Sequence, residues 1–109
     1  MIQSIILVIL SIFNWGGVYI ADFDYIVCAN PRLCIHEQGH RLDYQFGLPS
    51  QTEEFKNTVD EILPSLIKDT TCIIETEECL YKEAYARMWE MTEFNNFEML
   101  EEFKEFYGL

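Results

Sequence analysis

The chain opens on an uncharged run, IQSIILVILSIFNWGGVYIA (residues 2–21), and beyond it the apolar positions recur mostly at helical spacing. The run approaches the roughly 20 residues needed to cross a bilayer. It lacks a basic flank and a small-residue cleavage site, and Asn14, Gly16 and Gly17 interrupt it. Its β-branched members Ile5, Ile6, Val8, Ile9 and Ile12 would also suit a buried strand. Residues 1–15 are therefore set apart as an apolar segment, read as a signal or anchor with a core strand as the alternative, and residues 16–109 as one domain.

Within that domain, GGVYIADFDYIVCAN (residues 16–30) places two β-branched and aromatic runs around Asp22 to Asp24, which predicts a short hairpin or a single edge strand. Asn30 followed by Pro31 is a helix-start signal, and Gly47 with Pro49 a stop, so a helix is expected over residues 31–46. Ser50 and Glu53 have the spacing of a capping box for a second helix, whose apolar positions are Phe55, Val59, Ile62 and Leu63 and which Pro64 should end or kink. A less regular connector over residues 68–78 carries the apolar kernel Ile73 and Ile74. A third helix over about residues 77–94 carries the stripe Leu80, Ala84, Met88 and Met91. A turn at Asn95 and Asn96 leads to a fourth helix ending near Tyr107. The expected class is mainly α with a small β element (α+β): about four helices preceded by a short strand or hairpin.

Charge and composition narrow the partners. Nineteen acidic against seven basic residues give a net charge of -12, which repels nucleic acid and attracts basic peptides or proteins. Half of the 109 residues are hydrophobic, enough for a packed core. Cys28, Cys34, Cys72 and Cys79 could pair as sequence neighbours in an exported protein or serve as small core residues in a reducing cytosol. Their spacing does not match the paired motifs of structural zinc sites.

The chain's only two histidines lie in CIHEQGHRLDYQ (residues 34–45). On a helix, residues four apart lie one turn apart and within about 40° of each other, so His36 and His40 can offer two imidazoles to one ion. Glu37, rotated about 100° from His36, can reach a water on that ion instead of the ion itself. Asp43 follows His40 on the same face, where a carboxylate can accept a hydrogen bond from an imidazole. The pattern is the HExxH arrangement of zinc sites, with two ligands and a base.

A catalytic zinc needs a third protein ligand and an open position. A histidine or aspartate six residues after His40 would fall at Phe46, so a carboxylate or cysteine from a later element is required. Glu83, at the edge of the third helix's apolar stripe, is the candidate, with Glu75, Glu77, Glu78 and Glu90 as competitors.

HEQGHRLDY with Ser50 and Phe55 downstream, then EAYARMW, then FNNFEMLEEF, resembles the zinc-binding domain of the anthrax lethal factor family of metallopeptidases over residues 16–107. That family carries HExGHxxD, a serine and phenylalanine in the following helix, a glutamate ligand in an aromatic segment and an asparagine turn before a final helix. The resemblance implies a minimal zincin-like domain of gluzincin type, with His36, His40 and Glu83 as the Zn2+ ligands. There are two departures. Arg87 stands where the family supports its ligands with a glutamate. Thr76 stands where the family has its transition-state tyrosine; Tyr81 is the nearest tyrosine, with Tyr85 and Tyr107 further along.

The expectation is therefore a zinc-dependent peptidase acting on a peptide or protein, in which Glu37 activates a water and returns its proton to the leaving amine. Residues 2–21 would direct it to a membrane or out of the cell, with a cytoplasmic location if they form a core strand. The alternative is a degenerate relative that binds zinc and a partner without turnover.

Overall fold

The computed structural model describes residues 17–67, 72 and 76–109. The readings that fall on residues 1–16 and on Ile73 and Ile74 lie outside them. Among the described residues no helix is long and apolar enough to cross a membrane.

The two β-rich runs form an antiparallel hairpin, β1 (Gly17–Ile20) and β2 (Tyr25–Cys28), in the register Gly17↔Cys28 through Ile20↔Tyr25. One 3-10 turn over Ala21–Phe23 joins them. It closes on Asp24, at φ 48°, a left-handed conformation that a short polar side chain tolerates. The Asp24 carboxylate accepts from the Tyr19 hydroxyl at 3.0 Å and from Arg41 at 2.8 and 2.9 Å, so the turn is pinned to the helix that follows.

That helix, α1, runs from Pro31 to Gln45. Asn30 accepts from the Leu33 N–H at 3.0 Å and Pro31 occupies the first turn, as its start signal predicts. Gly47 and Leu48, both at positive φ, end it before Pro49. A disulfide from Cys28 to Cys34, Cα atoms 5.2 Å apart, fastens the end of β2 to the first turn of α1.

The second predicted helix is two. α2 (Glu53–Val59) is capped by Thr52, whose side chain accepts from the Phe55 N–H at 3.2 Å; Ser50 lies in a 3-10 turn ahead of it, so the expected capping box does not form. After a break at residues 60–62, α3 (Leu63–Ile67) carries Pro64 in its first turn, where the missing N–H costs nothing. Pro64 opens a helix rather than ending one.

α4 (Glu77–Glu93) is capped by Thr76, which accepts from the Cys79 N–H at 3.1 Å, and it starts with Glu77 and Glu78 where the helix dipole favours negative charge. A second disulfide, Cys72 to Cys79, ties its first turn to the preceding segment. Residues 96–100 have no regular secondary structure, so the last helix, α5 (Glu101–Lys104), begins later than expected and tightens into a 3-10 turn over Glu105–Tyr107.

The architecture is thus mainly α with a small β element. Its core gathers Phe55, Val59, Leu66, Ala84, Tyr85, Met88, Met99, Phe103 and Tyr107 from α2 to α5 and the segments beside them. Tyr85 stacks on Tyr107 with ring centroids 4.1 Å apart, and Phe55 meets the edges of Phe103 and Phe106. The hydroxyl of Tyr107 donates to the Tyr85 carbonyl at 2.7 Å, so its polar end is satisfied inside the core.

Candidate metal centre

A helix normally buries an apolar stripe. The buried residues of α1 are His36, Glu37, Gly39 and Asp43. Burying three polar side chains costs free energy unless each finds a partner, so the pattern directs attention to what those partners are.

α1 lies against α4, and Gly39 makes the close approach. A Cβ at Gly39 would stand 2.7 Å from the Ala86 Cα and 3.1 Å from its carbonyl oxygen. This crossing brings Glu83 opposite both histidines. Its carboxylate bridges them: Oε2 is 2.9 Å from His36 Nε2 and Oε1 is 2.9 Å from His40 Nε2. The imidazole rings lie edge to face with centroids 5.1 Å apart.

One atom from each of His36, His40 and Glu83 lies within 4.8 Å of the others, a group able to hold a metal ion. Tetrahedral zinc with bonds of about 2.0–2.1 Å sets neighbouring ligand atoms about 3.3 Å apart. The hydrogen-bonded spacing of 2.9 Å is close to that, so small side-chain adjustments would admit an ion. Two imidazoles and one carboxylate are also the donor set of many catalytic zinc sites. The residues fit the metal.

The electrostatics describe the same centre without an ion. Burial opposes a charge on His36, but the carboxylates of Glu83 and Glu90 outweigh it and push its pKa up to about 10. His40 is raised in the same way, against burial, chiefly by Glu83. Glu83, despite its burial, is held well below the ordinary carboxylate range by His40 and His36. Glu83 therefore favours positive charge on both rings, the same field that would favour a cation between them.

Glu37 lies beside this cluster, facing β1. It is 6% exposed, and its carboxylate accepts the Tyr19 backbone N–H. A Cβ at Gly17 would come within 3.4 Å of the Glu37 Cγ, so the strand passes directly over it. Burial raises its pKa, partly offset by His40 and His36, which makes it a better proton acceptor than an exposed carboxylate.

Two readings from the sequence change. Asp43, expected to hold an imidazole, gives its carboxylate to Ser50 instead, accepting the backbone N–H at 3.0 Å and the hydroxyl at 2.6 Å. Ser50 follows the left-handed turn at Gly47 and Leu48, which folds the chain back onto the last turns of α1. Asp43 therefore ties off the end of the helix. Tyr81, the candidate transition-state stabiliser, donates to Asp60 at 2.6 Å, which raises its own pKa to about 12. The hydroxyl of Tyr85 is taken by the Phe106 carbonyl and that of Tyr107 by the Tyr85 carbonyl.

The imidazole's partner is Glu90, which the sequence offered only as a competing ligand: its Oε1 lies 2.9 Å from His36 Nδ1. Seven residues are close to two helical turns, so Glu83 and Glu90 share one face of α4, a periodicity signal that was open to reading. No protein-family model, curated protein or solved structure matches the chain.

Proposed function

We propose that the chain is a zinc-dependent metallopeptidase of the lethal factor-like, gluzincin type, in which His36, His40 and Glu83 hold the metal and Glu37 is the general base. The observation that carries this reading is the single Glu83 carboxylate set 2.9 Å from both Nε2 atoms of an HExxH helix. The alignment of motif, third donor and buried base is what metal-assisted hydrolysis requires.

When bound, zinc would supply a Lewis acid that acidifies water and polarises a carbonyl. Glu37, held by the Tyr19 N–H, takes a proton from the attacking water and passes it to the leaving amine. The net charge of -12 favours a basic peptide or protein substrate. The two disulfides support an exported or membrane-associated protein, since such bridges persist in oxidising compartments.

The test is metal analysis beside a peptide-cleavage assay. Glu37→Gln keeps the shape of the base but not its proton affinity, so zinc should stay bound while turnover falls on the order of 10² to 10⁴. His36→Ala and His40→Ala should lose the metal. Wild-type protein that retains no zinc, or Glu37→Gln protein that cleaves at the wild-type rate, would overturn the reading. One observation favours a second reading, a zinc-holding interaction protein: the hydroxyls of Tyr81, Tyr85 and Tyr107 are all engaged elsewhere, which leaves none of them to stabilise an oxyanion. Stoichiometric zinc without cleavage of any member of an unstructured peptide library would select it.

A further inference from the structure

We infer that Glu90 is the residue that positions His36 for metal binding, and that Arg87 and Arg32 hold it in place, a support built two helical turns beyond Glu83. The inference rests on the zinc reading above and concerns how the site is kept in shape.

Glu90 is 3% exposed, and a carboxylate so deeply buried persists only when it is fully partnered. Its two oxygens are divided. Oε1 takes His36 Nδ1 at 2.9 Å, while Oε2 faces Arg87 Nη1 and, at 3.8 Å, Arg32 Nε. Because Glu90 accepts from Nδ1, the ring hydrogen stays there when a metal displaces the proton that Nε2 shares with Glu83, and the Nε2 lone pair is then the one offered to the ion. One contact thereby sets the tautomer of the imidazole and its rotation about the ring axis, the two properties that decide whether a histidine is ready to ligate.

Arg87 explains how the carboxylate stays aimed. It lies one turn beyond Glu83 and three residues before Glu90, so its guanidinium reaches Oε2 along the same helix. Arg32, from the first turn of α1, approaches the same oxygen from the facing helix. A lone Glu90 could swing towards the metal and compete with Glu83. With both arginines on the far oxygen, it is retained behind His36. A position that looks like a lost support is then part of a different one.

The test is zinc affinity by competition with a chromophoric chelator, on full-length wild type, Glu90→Met and Glu90→Gln, with thermal unfolding of each metal-free protein measured alongside. Glu90→Met removes the acceptor at similar volume and should weaken zinc 10- to 100-fold. Glu90→Gln, which can still accept from Nδ1, should recover part of that loss. Cobalt substitution adds a readout that stability does not move: the ligand-field bands should shift in Glu90→Met and lie nearer wild type in Glu90→Gln. Wild type that binds zinc beside a Glu90→Met protein with unchanged affinity and spectrum would overturn this inference alone, and so would a loss fully accounted for by unfolded protein. Wild type without zinc affinity would overturn it together with the reading beneath it.

Discussion

Replacing Gly39 by alanine tests whether the α1–α4 crossing builds the site. The added Cβ would lie 2.7 Å from the Ala86 Cα, closer than the 3.0 Å that real Cβ contacts essentially never breach, so the helices must separate by a few tenths of an ångström. No rotamer can relieve this, because the two nearest atoms, the Ala86 Cα and carbonyl oxygen, are backbone. The histidines ride on α1 and Glu83 on α4, so the separation falls on the 2.9 Å gaps that bring the ligand atoms together. Metal–ligand distances tolerate about 0.2 Å, so a shift of this size removes Glu83 from the set or strains it badly. Overpacking costs about 1–3 kcal/mol, offset by up to about 1 kcal/mol of helix propensity gained over glycine. The variant should therefore fold with a modestly lowered melting temperature but bind zinc far less tightly, and cleavage should fall on the order of 10². Ala86→Gly added to it should not rescue, since that change removes neither of the two nearest atoms. Zinc titration with thermal melts checks this, and a Gly39→Ala protein with wild-type zinc affinity, or full rescue by Ala86→Gly, would refute it.

Three further outcomes follow from the same contacts. His36 has a metal-free pKa of about 10 against an ordinary 6.5, so its contribution to stability is full below about 6.5 and is lost as pH rises through about 10. The metal-free protein should melt lower at the alkaline end of that window, whereas zinc binding should tighten with pH and release protons on uptake; calorimetry in buffers of different ionisation enthalpy, with melts in chelator, measures both. Arg87→Ala should weaken zinc by less than the roughly 10-fold floor expected for losing Glu90, because Arg32 still faces Oε2; a larger loss in the chelator competition would show that Arg32 does not share the task. Replacing Cys28 and Cys34 together by serine should cost about 2 kcal/mol through the short loop they close, roughly 8–16 °C in melting temperature; an unchanged melt would show that the bridge adds nothing to the pinning of β2 on α1.

The parts of this molecule that were legible in the sequence are those set by neighbours along the chain. Asn30 and Pro31 start α1 and Gly47 stops it, and these local signals place His36, Glu37 and His40 on one helix, where their mutual spacing follows from helical geometry alone. The hairpin is legible for the same reason, since two β-branched runs flank a short polar turn. Neighbour sequence pairs also account for both disulfides.

What was not legible is the choice among equivalent partners. Ser50 has the spacing of a cap, but it sits in the 3-10 turn where its hydroxyl and N–H satisfy the buried Asp43 carboxylate, and α2 starts only at Glu53, so Thr52 caps it. Pro64 obeys its own rule on either side of a helix boundary, and only the break at residues 60–62 decides which side it is on. Glu83 and Glu90 are alike by periodicity: both are glutamates on the α1-facing side of α4. Which one meets Nε2 and which meets Nδ1 depends on where α1 crosses α4, and the contacts concerned span 47 and 54 positions of chain. Gly39 fixes that crossing because it has no Cβ to meet the Ala86 backbone. A glycine between the two histidines of the motif reads, along the chain, as a weakness in a helix. In three dimensions it is what lets two facing glutamates divide the nitrogens of one imidazole between them, one beside the ligand atom and one behind it.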